Sequence, residues 1–539
     1  PHALRLALCD PRRPAYRSPG TLAVDDAARR ALLEVLARSP ATVNDAATAL
    51  AARVPVAQVD PSPLVGVVAT DRAQREQARH RVAAVDEDDV RLRSAVKTRD
   101  SAFTTFLVAP YSRYAARWCA GHGLTPNQVT AASLAVALLA AGVCATGTRA
   151  GYVTGALLLQ VSFVLDCVDG QLARYTLRFS TVGAWLDAVF DRVKEYAVFA
   201  GLAIGSARAG EPVWTLAATA VAFQTVRHML HFGYTEASCR VDGRTTGPPV
   251  LRLLDDRAPW AVWVRRLAIL PIGERWALIS LTTAVFRPRV VFLVMLAAGT
   301  FALAYAAAGR VVRSVRRDRP WSVEGARGLD PMTDLGPLSR PVAVAARRTP
   351  ALAARLRVPG VLAAATGVAP LLAALAALGR VSPWWLVAAA LWYAACIAVA
   401  VSRRLTGRLD WLVPALARTA EYATILAVPS VLAPSATPAA LAAVAACAYR
   451  HYDTVYRLPV LTVPDRALAL LAGGHELRVV AVALAAALAP GSLDTVLLVL
   501  AALTASTAVA ASLRWLRAAT RSHTTTLGTT EPDTMEALA

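Results

Sequence analysis

Long apolar stretches separated by arginine-rich connections fill residues 127–516, whereas residues 1–90 alternate in polarity and contain no run long enough to cross a bilayer. A helix needs about 20 mostly apolar residues to span the hydrocarbon core. On that measure the pattern predicts spans near 127–147, 150–171, 183–206, 212–232, 274–286 and 288–312, the fifth being short, and six further apolar stretches between 358 and 516. The expected fold class is an all-α polytopic membrane protein: a six-helix bundle followed by a second six-helix membrane domain, behind a small α/β-like soluble N-terminal segment.

The boundaries follow shifts in composition. Residues 1–95 read as a soluble cytoplasmic segment with strand-like pieces such as Leu64–Val68, 96–315 as the first membrane domain, 316–357 as a basic linker, 358–516 as the second membrane domain and 517–539 as a polar tail. Phe103–Trp118, which mixes aromatics with Arg113 and Arg117, suits a helix lying in the membrane interface, and Arg252–Arg266 looks similar. Arg313, Arg316, Arg317, Arg319, Arg347, Arg348, Arg355 and Arg357 place the linker on the cytoplasmic side, and an even span count then puts both termini there. The first apolar span begins only near Gln128, so no signal peptide is expected, and the lack of an initiator Met suggests a trimmed or partial chain.

Charge and cysteines narrow the functional classes. The net charge of +20 is mostly arginine at span ends without aromatic interleaving, which fits membrane topology and not nucleic-acid binding. The seven cysteines are scattered and odd in number, so neither a disulfide framework nor a CxxC metal site is expected. Cys167 lies between two acids but points away from their stripe.

Those acids are the exception to the apolar pattern. Asp166, Asp169, Asp187 and Asp191 lie inside two apolar stretches, where each charge at a bilayer centre costs roughly 2.5–3.5 kcal/mol unless it faces a polar cavity and holds cations. Asp166, Asp169, Gly170 and Ala173 recur at i, i+3, i+4 and i+7, and Gly183, Asp187 and Asp191 at i, i+4 and i+8, so two acidic helical stripes can face each other. Hard carboxylate oxygens suit two divalent cations, Mg²⁺ or Mn²⁺, able to clamp a diphosphate during displacement at phosphorus. Gly170 and Gly183 remove side chains where a ligand or backbone must come close, and Arg174 offers a fork for phosphate. Intramembrane acids also line ion pathways, so a transporter or noncatalytic scaffold is the alternative from a different class.

Asp166, Asp169, Gly170, Ala173, Arg174, Gly183, Asp187 and Asp191 resemble, at every fixed position, the D-x2-D-G-x2-A-R-x8-G-x3-D-x3-D signature of the CDP-alcohol phosphotransferases. The resemblance covers about residues 95–315 and includes Leu124–Thr130, similar to the start of that family's first transmembrane helix. It implies that Asp166, Asp169 and Asp187 ligate metals, that Asp191 lies near them and is the base, and that Gly170, Ala173 and Arg174 line the CDP site. It also implies an integral membrane transferase, in phospholipid or inositol-phosphate lipid biosynthesis, that moves a phosphoalcohol group from a CDP-alcohol to an acceptor hydroxyl and releases CMP. The catalytic site would face the cytoplasm in a multi-pass cell-membrane protein.

The acceptor is less defined. Arg178, Arg192, Lys194, Arg227, His228 and Arg275 are candidates for a phosphorylated acceptor, and each is also an ordinary anchoring cation. The stretch Lys97–Thr130 looks like fused inositol-phosphate enzymes, which favours a polyol-phosphate acceptor, with phosphatidylglycerol-phosphate-type chemistry as the rival. In such fused relatives a cytidylyltransferase precedes the membrane domain; residues 1–95 resemble the tail of one but lack a Gly-rich nucleotide loop.

Finally, residues 358–516 carry an echo of the first domain. Placing Trp185-Leu186 over Trp411-Leu412 aligns Arg192 with Arg418 and Glu195-Tyr196-Ala197 with Glu421-Tyr422-Ala423, and Arg227-His228 falls near Arg450-His451 after a small gap. In this register Asp187 and Asp191 become Val413 and Ala417, so the second copy cannot hold the metals. A degenerate repeat of this kind is expected to stand in for the second subunit of a dimer, as an intrachain pseudo-dimer; a homodimer is the alternative.

Overall fold

The computed structural model describes residues 72–97, 100–242, 269–317, 320–349, 358–458 and 466–525, with short pieces elsewhere. Near the N-terminus three short strands, β1 (Ala15–Ser18), β2 (Thr21–Val24) and β3 (Ala57–Gln58), form a sheet in the order β2-β1-β3. The first pair is antiparallel and β1 pairs with β3 in parallel. The strand-like piece expected at Leu64–Val68 and the interfacial segment expected at Arg252–Arg266 lie outside the described residues.

Helices build the rest. Ahead of the membrane core come α1 (Arg72–Ala83), α2 (Glu87–Ala95) and, after a π-helical turn at Thr104–Val108, α3 (Ala109–Gly121). Phe106, Tyr111, Tyr114 and Trp118 on this last segment are exposed, as an interfacial helix requires. The first apolar set is α4 (Pro126–Cys144), α5 (Arg149–Thr176), α6 (Thr181–Arg208), α7 (Trp214–Asp242), α8 (Ile272–Val285) and α9 (Pro288–Val315).

Local sequence fixes these ends. Thr125 and Gln128 form a capping box at the start of α4, with the Thr125 N–H donating to Gln128 Oε1 at 2.9 Å. Ser180 caps α6 by accepting from the Gly183 N–H at 2.9 Å. Helix α5 ends at Leu177, whose φ of 55° is the left-handed value that closes a helix and re-aims the chain into α6. Helix α6 then crosses α4 backbone to backbone: a Cβ on Gly201 would stand 2.3 Å from the Ala141 carbonyl oxygen, so only glycine permits the approach.

Residues 316–357, expected as a linker, instead contain α10 (Val323–Met332), packed on α7 of the first set and on the second apolar set of helices, and α11 (Arg340–Arg348), packed on that second set. The reason is electrostatic as well as apolar, since the turn between them buries Asp334 against Arg418, Arg450 and Arg478. That second set comprises α12 (Gly360–Ala376), α13 (Trp384–Ala400), α14 (Val413–Leu432), α15 (Thr437–Arg457), the short α16 (Arg466–Leu471), α17 (Gly474–Leu488) and α18 (Leu493–Thr525).

Five described segments are long and apolar enough to cross a membrane: α4, α5, α9, Ala467–Leu488 and Pro490–Ala519. Helix α6 is as long as α5 but carries Asp187, Asp191, Arg192, Lys194 and Glu195, and α8 has 14 residues, about 21 Å of helix. The chain is thus helical and polytopic in character, with one continuous apolar core running through both sets.

The two sets pack alike. Helices α4, α5, α6 and α8 touch in the pattern that α12, α13, α14 and α17 repeat, and α7 lies on α9 as α15 lies on α18. Arg192 Nη1 donates to Glu195 Oε2 at 2.8 Å, and Arg418 Nη1 donates to Glu421 Oε2 at 2.7 Å. Arg275 Nε stands 3.1 Å from Glu195 Oε1, and Arg478 Nε stands 2.5 Å from Glu421 Oε1. Glu274 Oε1 accepts from the Ala102 N–H at 2.6 Å, as Glu476 Oε1 accepts from the Gly336 N–H at 2.7 Å.

One pairing read from the sequence changes. The Tyr196 hydroxyl meets Thr225 Oγ1 at 3.3 Å while the Tyr422 hydroxyl meets His451 Nδ1 at 3.0 Å, so His451 corresponds to Thr225 and not to His228, with no gap. The repeated Arg-His dipeptide misled because the helices continue in register while its chemistry does not.

Candidate active site

The C-terminal turns of α5 and the first turns of α6 meet beside the N-terminal half of α4. There one carboxylate oxygen each from Asp166, Asp169 and Asp187 lie within 4.8 Å of one another. Helical spacing puts Asp166 and Asp169 on one face of α5, and the Leu177 turn brings Asp187 of α6 opposite them. Thr130 Oγ1 on α4 donates to Asp169 Oδ2 at 2.6 Å. Neither Asp169 nor Asp187 has a cationic partner among the described residues, and three close acids without enough positive charge make a set that fits divalent cations.

Asp191 is placed one turn deeper and outside this trio. Its Oδ1 lies 2.9 Å from Lys194 Nζ, and its Oδ2 lies 3.8 Å from Arg192 Nη2. Lys194 is fully buried, also donates to Asp166, and reaches Ser133 Oγ at 3.1 Å. Lys194, expected among the acceptor candidates, is in the structure the counter-ion that joins Asp166 to Asp191. The signal was present in the sequence, because Lys194 follows Asp187 by seven residues and Asp191 by three, on the same stripe. Thr130 and Ser133, both buried polar groups on α4, were missed because a single hydroxyl on an apolar helix carries no spacing pattern.

The motif glycines differ in what they face. A Cβ on Gly183 would stand 2.8 Å from Asn127 Oδ1, so this glycine admits the start of α4. On Gly170 the nearest atom to such a Cβ is the Arg174 guanidinium at 3.4 Å, so its face stays open beside the acids. Arg174 Nε donates to the Ala95 carbonyl at 2.6 Å, tying α5 to the end of α2, and Ala173 is partly buried beside it. Tyr175 donates to Asp88 on α2, and Arg117 on α3 reaches the same carboxylate at 2.8 Å. The Tyr175 hydroxyl first, and Arg117 next, hold Asp88 below the usual carboxylate range.

The remaining cations separate into groups. Arg192 and Arg275 converge on Glu195 in a buried cluster adjoining Asp191. Arg227 donates to the backbone carbonyls of Ile269 and Leu270, the latter at 3.1 Å. His228 bonds Gln224 at 3.0 Å and the Tyr452 hydroxyl from the second helical set, and the Arg192 guanidinium lies 5.4 Å from the Tyr452 ring. Arg178 is exposed in the α5–α6 turn.

With this geometry in view, the comparisons with known proteins divide the chain. The CDP-alcohol phosphatidyltransferase family profile matches residues 123–308, which hold all four acids. Residues 123–308 are thus similar to the CDP-alcohol phosphatidyltransferases. Residues 323–530 match a family of unknown function, DUF5941, and this match takes in α10 and α11. A bifunctional IPC transferase and DIPP synthase of Rubrobacter xylanophilus is 32% identical over 155 residues, 28% of this chain and 31% of that protein. A phosphatidylinositol phosphate synthase of Streptomyces avermitilis is 33% identical over 110 residues, 20% of this chain and 43% of its own length. An archaetidylinositol phosphate synthase of Pyrococcus horikoshii is 34% identical over 83 residues, 15% of this chain and 43% of its own. The chain thus spans less than half the length of these curated relatives.

Proposed function

We propose that the protein is a metal-dependent CDP-alcohol phosphotransferase, and the observation that carries this reading is the trio Asp166, Asp169 and Asp187 within 4.8 Å inside a membrane-type helix pair. These three residues would hold two divalent cations, Mg²⁺ or Mn²⁺, which when bound supply positive charge to the donor's diphosphate and to the phosphoryl oxygens. Gly170, Ala173 and Arg174 would line the CDP moiety, Gly170 leaving its face open and Arg174 offering guanidinium N–H groups to phosphate. Asp191 would take the proton of the acceptor hydroxyl as its oxygen bonds to the β-phosphorus and the bond to CMP breaks. Lys194, bonded to Asp191, holds that carboxylate in place.

The acceptor we favour is an inositol phosphate or similar polyol phosphate, on the strength of relatives named for phosphatidylinositol phosphate and archaetidylinositol phosphate synthesis. Arg192 and Arg275 are the arginines closest to this role, since Arg192 adjoins Asp191, Arg275 joins it on Glu195, and the two carry more positive charge than Glu195 offsets. A glycerol phosphate acceptor is the rival. The donor would be CDP-diacylglycerol or a soluble CDP-polyol, the site would open toward the cytoplasm of a multi-pass cell-membrane protein, and residues 96–315 would form its six-span catalytic domain.

Residues 358–516 would be a degenerate copy of that domain, with α10 and α11 as its lead-in, and would replace a second subunit within the chain. The paired ion clusters of Glu195 and Glu421 support this. A transporter would keep polar chemistry in both halves, whereas acids at the motif positions survive in only one. Divalent-ion-dependent CMP release by the purified protein, screened with CDP-diacylglycerol and CDP-inositol against inositol phosphate and glycerol phosphate, tests the reading. No release with any pair refutes it.

A further inference from the structure

A cavity of about 420 Å³ opens between α10, α11 and the turn after α13. Arg327, Arg347, Arg403 and Arg404 line it with a single carboxylate, Asp330. Arg347 takes that carboxylate bidentately, both contacts being 3.0 Å, and donates to the Val401 carbonyl at 3.1 and 2.9 Å, which fixes it as a wall. Arg403 donates to the Val358 carbonyl at 3.2 Å. Arg327 and Arg404 have no acidic partner among the described residues. Three guanidinium charges therefore converge on one cavity from two separate segments without an anion among the described residues to balance them.

Ordinary topology-setting arginines explain a basic helix end, but they do not require convergence on a hollow. The location adds to this. The turn after α13 corresponds to the α5–α6 turn, with Arg404 in the place of Arg178 in the register that pairs Trp411 with Trp185. Around the first turn stand carboxylates that need cations before an anion can enter; around the second stand arginines, which need none. Planar guanidinium forks match the oxygens of phosphate esters, and the volume falls in the range of small-ligand sites.

We propose that this cavity is a metal-independent site for a phosphate-bearing group, either the headgroup of an anionic phospholipid or a soluble phosphate ester, on the same membrane face as the acid trio. It does not depend on the activity proposed above. The test uses the full-length protein in neutral detergent with EDTA, titrated with inorganic pyrophosphate by calorimetry. In parallel, protein extracted from phosphatidylcholine bilayers with and without phosphatidylglycerol is weighed intact to detect retained lipid.

Pyrophosphate binding identifies the soluble source; retained phosphatidylglycerol without pyrophosphate binding identifies the lipid. In either arm Arg403→Gln/Arg404→Gln should weaken binding about tenfold or more, and Arg403→Lys/Arg404→Lys by less. Divalent-ion-dependent CMP release, if present, should be unchanged, because neither arginine adjoins the acids. Arg404→Gln alone, at an exposed side chain, keeps the test open should the double variant fold poorly. Binding of neither probe, or equal binding by wild type and variants, overturns the proposal.

Discussion

Trp185 and Trp411 hold corresponding positions and reach in opposite directions, each into the other helical set. The Trp185 indole N–H donates to Asp453 Oδ1 at 3.1 Å and its ring lies 5.3 Å from that of Trp515. The Trp411 indole N–H donates to Ser314 Oγ at 3.0 Å and its ring lies 5.3 Å from that of Tyr234. With α7 packed on both α14 and α15, and α15 on α6, the contact has the reciprocal form of a two-fold interface within one chain. The purified protein should therefore weigh as a single 56.8 kDa chain plus detergent. Trp185→Ala or Trp411→Ala should each cost about 3–5 kcal/mol, read as a lowered Tm, with Trp→Phe costing less. An obligate homodimer cross-linked through α4–α9 in native membranes would count against this arrangement.

Asp166→Asn, Asp169→Asn and Asp187→Asn should each reduce CMP release by about 10²–10³-fold, the scale of losing one preorganised electrostatic group. Chelation should do the same to the wild type, while Tm in detergent stays near normal. An Asp187→Asn protein that keeps most of its turnover refutes the metal assignment.

Lys194→Met removes the buried cation shared by Asp166 and Asp191, so the variant should have a lower Tm without divalent ions. Added Mg²⁺ should then raise its Tm by more than it raises that of wild type, because the ion supplies the missing charge. Equal shifts would mean that Lys194 and the metal do not share these acids.

Asp191→Asn should abolish transfer but spare donor binding, measured by calorimetry, better than Asp166→Asn does, since Asp191 lies outside the trio. Equal loss of donor binding in the two variants would make Asp191 another ligand, and the base would lie elsewhere.

Asp334 is a different case. Burial favours its neutral form, but Arg450 first and then Arg478, His451 and Arg418 overcome this and hold it well below the carboxylate range. A depressed folded value means the stabilisation is present above the unfolded value and is lost only as pH falls through the folded one. Asp334→Asn should thus lower Tm, by about 3–5 kcal/mol for a broken buried pair, by the same amount at every pH from 8 to 5. A difference that shrinks across this window contradicts it.

The acids and the helices were legible because both depend on local spacing: periodicity put Asp166, Asp169 and Asp187 on facing stripes, and the expected apolar stretches coincide with helices α4–α9 within a few residues at most ends, of which α4, α5 and α9 are long and apolar enough to cross a membrane. The remainder depends on contacts across the chain. Nothing near Asp334 announces that its partners stand 84–144 residues later at Arg418, Arg450 and Arg478, so a folded lead-in read as a linker. Arg275 likewise reads as a span-end cation until α8 brings it to Glu195.

Reciprocity without identity has its own consequence. A pair of identical chains must meet with one surface that complements itself, and any substitution there is felt twice. Here Trp185 meets a carboxylate and Trp411 a hydroxyl, and Tyr452 lies beneath Arg192 while the corresponding Val226 offers no ring to Arg418. Each face can therefore change alone, so the side that bears the acids has a dedicated neighbour that diffusion can never remove.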